Sequence, residues 1–234
     1  MIARERAARF AHIKNAMLDL ILQLSDFDEG DALLRSYMKK RFFDLFVSMT
    51  ILMILSPFIF LIIYLIRKDG GPAFYWQKRI GWDQKEFNFP KFRTMVVGAD
   101  KMKDDLLKTN QHGADGVTFK MKDDPRVTKV GKFLRRFSID ELPQLWCVLE
   151  GTMSLVGPRP PVPREVAQYT DEQKMRLMAI PGITGIWQVS GRSDIGFEQQ
   201  YEMDLEYMRK YSMVTDLKIL LKTVPAVLFG KGAY

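Results

Sequence analysis

The spacing of apolar residues changes several times along this chain, and each change marks an element. Phe10, Ile13, Met17, Leu20, Ile21 and Leu24 recur at helical spacing, which predicts an amphipathic helix over residues 3–24. The acidic and glycine residues of SDFDEGD then end it. Over residues 45–66 the charged positions disappear: LFVSMTILMILSPFIFLIIYLI is a run of 22 residues without a charge. That exceeds the roughly 18 apolar residues that argue for a membrane helix over a core helix. Next, GGPAFYWQKRIGWDQKEFNFPKFRTM alternates aromatic and polar residues between turn signals and predicts short strands. Residues 97–126 are polar and weakly patterned, helix-like in GADKMKDDLLK and loop-like in TNQHGADG. A helix over residues 139–149, a proline-rich turn over 157–163, IPGITGIWQVSGR as loop and short strand, and a helix-rich end from Phe197 complete the pattern. The late stretch LKILLKTVPAVLF, interrupted by Lys222 and Pro225, reads as an interfacial or packed helix.

The long apolar run carries Ser56-Pro57 at its midpoint. Proline removes one backbone N–H and its ring crowds the carbonyl of Met53, so a bend is expected there. Ser56 offers a hydroxyl to the freed carbonyl. Each half is about 11 residues, roughly 16 Å of helix, which matches one leaflet of a hydrocarbon core about 30 Å thick. Both flanks are basic, Lys39-Lys40-Arg41 before and Arg67-Lys68 after. The positive-inside rule would place both on the cytoplasmic side. The residues alone leave two readings open, a proline-kinked span and a segment that enters the bilayer and returns.

Charge narrows the partners. A formal charge of +7 over 234 residues attracts anions: nucleic acid, lipid headgroups or phosphorylated small molecules. A nucleic-acid partner is not expected, because no nucleic-acid module is present and the apolar run does not suit a freely soluble binder. The single Cys147 excludes an intramolecular disulfide, and with two His no thiol or imidazole metal site is expected. The start, MIARERAARFAHIKNAM, has arginines where a cleavable signal would have its apolar region.

Two features carry candidate chemistry. Ser138-Ile-Asp-Glu141 fits a helix-capping box, in which Glu141 reaches back to the Ser138 N–H and Asp140 complements the helix dipole. The same residues supply adjacent carboxylates shortly before Arg159, which lies between Pro158 and Pro160. Asp26-Phe27-Asp28 is a D-x-D triplet of the kind that can hold a metal, a weak signal without its context.

An ordered set of stretches decides between these readings: Lys40-Arg41-Phe-Phe-Asp44, Ser56-Pro57, Lys91-Phe-Arg93-Thr94-Met95, RRFSIDELPQL, MSLVGPRP, PGITGIWQVSGR and GKGAY. Together they resemble the bacterial sugar transferase family, the monotopic phosphoglycosyl transferases that begin surface-glycan assembly on a polyprenol phosphate. The match covers about residues 39–234, and such a set is far more specific than any single motif.

The resemblance implies an α/β fold, with a compact and mostly helical catalytic domain over residues 69–234 and a few short strands. It would lie on the cytoplasmic face of the bacterial inner membrane. Interfacial helices and a re-entrant helix-break-helix over 39–68, broken at Ser56 and Pro57, would anchor it. Residues 1–38 form an extension outside the match. The resemblance also implies that Asp140 attacks the sugar-linked phosphate of a UDP-sugar, releases UMP and forms a phosphosugar–aspartate. Polyprenol phosphate, in bacteria undecaprenyl phosphate, then takes the phosphosugar. Glu141 acts with Asp140 and a Mg²⁺ ion, which makes both carboxylates the expected metal ligands. Arg135 and Arg159 occupy positions that the family uses near phosphate, and Lys91, Arg93 and Arg192 are further candidates. GVTFKMKDDPRVTKVGKFLRR looks like members that transfer a hexose 1-phosphate such as glucose or galactose. The expected partners are the UDP-sugar, polyprenol phosphate, the lipid bilayer and, as a candidate, a second copy of the chain. Two residues depart from the family pattern, Cys147 where Asn is common and Thr152 where an acid is frequent.

This chemistry is physically coherent. A carboxylate nucleophile divides one transfer between bulky anions into two in-line displacements. Phosphates beside carboxylates repel one another, so a hard cation and bidentate arginines are needed. The alternative is a membrane-bound, non-catalytic interaction protein in which the acid pair only caps a helix and the basic face binds lipid headgroups. Mg²⁺-dependent release of UMP separates the two.

Overall fold

The structure, a computed structural model, describes residues 27–102, 124–191 and 194–229. The expected helix over 3–24, Asp26 of the D-x-D triplet, most of the polar stretch, Arg192 and the closing GKGAY lie outside the described residues. The chain divides into two units, Met1–Phe43 and Asp44–Tyr234. The described part of the first unit, residues 27–43, is helical throughout.

Helix α1 (Phe27–Arg67) contains Pro57 within it. Pro57 lacks the N–H that would have bonded the Met53 carbonyl, and Ser56 Oγ donates to that carbonyl at 2.8 Å. The side chain thus replaces the missing main-chain bond. Among the described residues α1 is the one helix long and apolar enough to cross a membrane. Asp44 and Ser48 near one end of its apolar run and Ile62 and Ile66 near the other are buried. Between them Met53, Ile54, Phe60 and Leu61 are exposed.

The alternating stretch forms an antiparallel hairpin, as its pattern predicts. Strand β1 (Phe74–Ile80) pairs with β2 (Glu86–Phe92), with Phe74 opposite Phe92 and Gln77 opposite Phe89. A period of two sends Phe89 and Lys91 to one face of β2 and Phe92 to the other. Phe92 joins Ile62, Ile66 and Leu134 in a buried cluster against which Ile59, Ile63, Val130, Ile139 and Leu142 also pack. This cluster seats the end of α1, the hairpin and α2 (Lys129–Arg136) on one another. Thr128 caps α2 by accepting from the Gly131 N–H at 2.9 Å.

The single helix expected over residues 139–149 is two elements, a 3₁₀ segment (Ile139–Gln144) followed by α3 (Leu145–Glu150). Pro143 explains the division, since an α-helix running through it would drive its ring against the Ile139 carbonyl. A parallel pair then joins β3 (Ser154–Val156) to β4 (Gly182–Thr184). Between these strands lie the proline-rich turn, α4 (Pro163–Val166) and a 3₁₀ segment (Gln173–Met178). IWQVS, expected as loop or strand, is the short helix α5 (Ile186–Ser190). Helices α6 (Phe197–Arg209) and α7 (Met213–Phe229) form the helix-rich end. In α7, Asp216 and Ile219 are buried while Val214, Leu217, Leu221, Val224 and Leu228 form an exposed apolar stripe. The fold is therefore mostly helical with a few short strands.

Helix α2 depends on a close approach. A Cβ added at Gly131 would lie 2.0 Å from the Thr94 carbonyl oxygen. That overlap is with backbone, so the helix itself would have to move. Gly131→Ala is expected to cost about 1–3 kcal/mol, read as a lower Tm of the detergent-solubilised chain. An unchanged Tm would show that α2 is not seated on the Thr94 backbone.

Candidate active site

Ser138 follows α2 in the left-handed region, with φ 53° and ψ 23°, an uncommon conformation for a residue with a Cβ. Its N–H donates to the Arg135 carbonyl at 3.0 Å, and its own carbonyl accepts from the Glu141 N–H at 3.2 Å. The capping box anticipated from the sequence does not form, because the Ser138 side chain makes no capping hydrogen bond. Glu141 is turned to cations instead. In a 3₁₀ helix side chains three apart eclipse one another. Ile139 and Leu142 therefore share the face that packs on the apolar cluster. Asp140 and Glu141 occupy the other two faces, toward β2.

Glu141 Oε1 accepts from Lys91 Nζ at 2.6 Å and from Arg159 Nη1 at 3.5 Å. The same Lys91 Nζ lies 3.9 Å from Asp140 Oδ2. Burial pushes the Asp140 carboxyl up; Lys91 pulls it down, the adjacent Glu141 charge adds to the rise, and Arg135 opposes it. The net direction is upward. For Glu141 burial acts the same way, but Lys91 and Arg159 outweigh it and hold the carboxyl down at about 2. Two neighbouring carboxyls thus have their proton affinities driven apart, the pattern that divides roles between paired acids. Glu141 is a fixed anion already engaged by cations. Asp140 is a buried carboxylate, 8% exposed, whose charge its surroundings disfavour.

Arg159 sits in a turn held by two other arginines. Arg79 of β1 is buried and donates from Nη1 to the Pro160 carbonyl at 2.9 Å. Its guanidinium lies 5.0 Å from the centroid of the Phe89 ring, and the Lys91 ammonium lies 5.6 Å from the same centroid. The Ile80 N–H donates to the Pro161 carbonyl at 2.9 Å. From the other side Arg176, buried and ion-paired with Asp204, reaches the Arg159 carbonyl with Nη2 at 3.5 Å. Sequence reasoning missed Arg79 and Arg176. No motif spacing marks either, and Arg79 is placed beside Phe89 only once the hairpin register is known.

The other candidates divide. Arg135 Nε donates to Thr94 Oγ1 at 2.9 Å; burial lowers its affinity for its proton, and the charges of Asp140 and Asp124 support it. It lies close enough to Asp140 to feel its charge. Arg93 is not brought to the acid pair. Its Nε donates to Pro72 O, its Nη1 to Asp69 Oδ2 and Met95 O, and its Nη2 to Ile66 O and Asp69 Oδ1, at 2.6 to 3.1 Å. Those bonds use every donor of a guanidinium, so none is left for a phosphate. Arg192 lies outside the described residues. Cys147 is buried, and burial pushes its thiol up to about 11, which makes it an inert apolar residue. Thr152, the other departure from the family pattern, donates to the Cys147 carbonyl at 3.2 Å and so closes the end of α3.

Among the described residues no group of three or more His, Cys, Asp or Glu comes together. A Mg²⁺ ion needs only one or two carboxylates when waters and substrate phosphates complete its shell. Asp140 and Glu141 meet that requirement.

A family model described as "Bacterial sugar transferase" matches residues 35–230. The chain is 48% identical over 195 residues to a protein of Streptococcus agalactiae serotype III named galactosyl transferase CpsE, covering 83% of this chain and 43% of that protein. It is 44% identical over 197 residues to the undecaprenyl-phosphate galactose phosphotransferase of Salmonella typhimurium, covering 83% and 41%. It is 41% identical over 198 residues to the exopolysaccharide production protein ExoY of Sinorhizobium fredii, covering 83% and 88%. The chain therefore spans less than half the length of the first two relatives and most of the third.

The opposite shifts of the two carboxyls predict opposite stability effects. Asp140→Asn removes a charge that its surroundings disfavour and should raise Tm near neutral pH. Glu141→Gln removes one that they favour and should lower it by a few degrees. The depressed Glu141 carboxyl stabilises the fold above its ordinary value of 4.5, and that contribution is lost as pH falls through about 2. The Gln penalty should shrink over the same range. Scanning fluorimetry of both variants against pH checks this, and shifts of the same sign would refute the electrostatic assignment.

Proposed function

Because the chain belongs to the bacterial sugar transferase family, we propose that it transfers a sugar 1-phosphate from a UDP-sugar to polyprenol phosphate, undecaprenyl phosphate in bacteria, and releases UMP. The observation that carries this reading is the asymmetric acid pair, with Glu141 neutralised by Lys91 and Asp140 buried beside it. A carboxylate kept from water and short of counter-charge is a stronger nucleophile than a hydrated one.

Asp140 attacks the phosphorus that bears the sugar, the bond from that phosphorus to the bridging oxygen breaks, and UMP leaves with the electron pair. A phosphosugar–aspartate remains. An oxygen of polyprenol phosphate attacks the same phosphorus, Asp140 departs as a carboxylate, and the product is a polyprenol diphosphate sugar. Arg159, half-buried with donors beyond the one it gives Glu141, and Arg135 beside Asp140 would clamp the phosphates through this charge movement. Asp140 and Glu141 would hold a Mg²⁺ ion, which supplies the positive charge that two phosphates beside two carboxylates require. The Streptococcus relative is named a galactosyl transferase and the Salmonella relative a galactose phosphotransferase, so UDP-galactose is the first donor to test and UDP-glucose the next. The product would open assembly of a surface glycan or exopolysaccharide.

The same reading places the catalytic unit on the cytoplasmic face of the membrane, with the apolar run of α1 entering the bilayer and returning. Support comes from its two ends. Asp44 Oδ1 accepts from the Leu155 N–H at 3.4 Å, and Ile62 and Ile66 pack with Phe92 and Leu134. Both ends thus rest on one unit while the middle stays exposed.

With a UDP-sugar labelled in the sugar-linked phosphate and no acceptor, the wild-type chain should trap label on protein and Asp140→Asn should not. UMP release should fall by ~10⁴-fold or more. Equal labelling would remove Asp140 as nucleophile, and no UMP release from any UDP-sugar would favour the non-catalytic reading. Arg159→Lys should lose activity of the order of 10²-fold, since a point charge cannot reproduce a bidentate contact.

For the membrane segment, single cysteines at Ala3 and Tyr234 in a Cys147→Ala background should both resist an impermeant maleimide in intact cells and react after permeabilisation. Pro57→Leu should move part of the population to a spanning orientation, with Ala3→Cys now labelled from outside, and should lower activity. Labelling of Ala3→Cys in intact cells that retain Pro57 would exclude re-entry.

A further inference from the structure

Behind the turn that carries Arg159 lies a buried ion pair to which the reaction assigns no role. Arg176, in the 3₁₀ segment Gln173–Met178, is 4% exposed, and Asp204, in α6, is 1% exposed. Nη2 of Arg176 pairs with Asp204 Oδ2, and Nη1 donates to Tyr169 Oη at 3.3 Å. The guanidinium lies 5.9 Å from the centroid of the Tyr169 ring, which in turn packs 5.2 Å from the Phe197 ring. The charges are therefore walled by aromatic carbon.

Such a pair is a poor way to hold a fold. Burial pushes the Asp204 carboxyl up to about 6 although Arg176 pulls it down. Arg176 Nε and the neighbouring Trp187 Nε1 are buried with no hydrogen-bond partner among the described residues, and donors left unmade add to the cost. A well-packed apolar pair of similar volume often serves stability as well or better.

What the pair does reach is the turn. Nη2 of Arg176 also approaches the Arg159 carbonyl, at 3.5 Å. Arg159 precedes Pro160, which confines it to extended conformations. Within them, the rotation of its carbonyl sets where its side chain points relative to Pro160, whose own carbonyl Arg79 holds at 2.9 Å. A donor on the Arg159 carbonyl fixes that last rotation, and with it the approach of the Arg159 guanidinium to Glu141, 3.5 Å away. Resting on the transfer reading, in which Arg159 clamps phosphate, we propose that Arg176 and Asp204 are positioning residues: Asp204 holds the Arg176 guanidinium against the Arg159 carbonyl and so keeps Arg159 aimed at the acid pair. Both are buried too deeply to touch a substrate themselves.

The test separates aim from stability. It uses the full chain in detergent with polyprenol phosphate and whichever of UDP-galactose and UDP-glucose the wild-type chain turns over, and it reads UMP release and Tm. Arg176→Lys keeps a cation for Asp204, but one ammonium held there cannot reproduce the fork that also serves the Arg159 carbonyl and Tyr169. It should lower kcat about 10-fold or more and leave Tm within a few degrees of wild type. Arg176→Met combined with Asp204→Leu removes both charges and should keep Tm at or above wild type while kcat stays low. In an Arg159→Lys background, Arg176→Lys should cause no further loss, because the guanidinium that it aims is gone. Losses that multiply there would overturn the proposal, as would wild-type turnover in Arg176→Lys, and either would leave the transfer reading intact. Unfolding of the charge-free double variant would make the pair structural and overturn it as well. Absence of UMP release from the wild-type chain would remove the transfer reading and this proposal with it.

Discussion

Two adjacent carboxylates can share a secluded site only if a cation relieves both their repulsion and their loss of water, and here that cation is Lys91. Its Nζ is 2.6 Å from Glu141 and 3.9 Å from Asp140. The contact joins β2 to the 3₁₀ segment, so the hairpin and the acid pair are held together by the interaction that makes the pair chemically unequal. Spreading the ammonium evenly between the carboxylates would leave two similar acids. Giving most of it to Glu141 leaves Asp140 under-compensated, which costs stability and, in the proposed reaction, would supply reactivity at the same carboxylate.

The turn that presents Arg159 follows from a different constraint. Pro158, Pro160 and Pro161 have no N–H to give, so main-chain donors hold the turn only at its two ends, where the Gly157 N–H donates to the Thr184 carbonyl at 2.9 Å and the Val162 N–H to Glu165 Oε2 at 3.0 Å. Its middle is pinned through its acceptors. The carbonyls of Arg159, Pro160 and Pro161 each accept from a separate donor: Arg176, Arg79 and the Ile80 main chain. Two of those donors are buried guanidiniums, one paired with Asp204 and the other lying over Phe89. Arg79 carries a cost, since burial first and then the like charge of Arg159 lower its pKa to about 10. An arginine that reaches Glu141 is thus aimed by two that do not.

How much of this could be read from the sequence depended on whether the information was local. The alternation of aromatic and polar residues around Phe87, Phe89 and Lys91 predicts a strand, and the family resemblance carried by the ordered motifs names Lys91, Asp140, Glu141 and Arg159 as candidates for one site. Arg93 shows the limit. A sequence reports that a guanidinium is present but not where its donors go, and all of those on Arg93 are taken by Asp69 and three main-chain carbonyls. Ser138 misled in the same way, because the capping box is a statement about spacing and the left-handed backbone at Ser138 is not. The short parallel pairing of Ser154 with Gly182 and of Val156 with Thr184 joins segments whose contact no local pattern announces.

Arg93 nonetheless has a definite mechanical place. It lies two residues beyond Lys91, and its Nη2 donates at 2.9 Å to the carbonyl of Ile66 in the last turn of α1. Asp69, held at about 2 by Arg93 and by the Gly71 N–H, fixes the chain just after that turn. The end of the apolar helix and the acid pair are therefore attached to the same short stretch of chain, the end of β2 and the residue after it, roughly 7 Å apart along it. A loose connection would let the acid pair wander relative to the end of the apolar run of α1. A rigid one of this length ties the height of the pair to the helix that would anchor it, which is what the proposed second substrate, with its phosphate fixed at the membrane surface, would require.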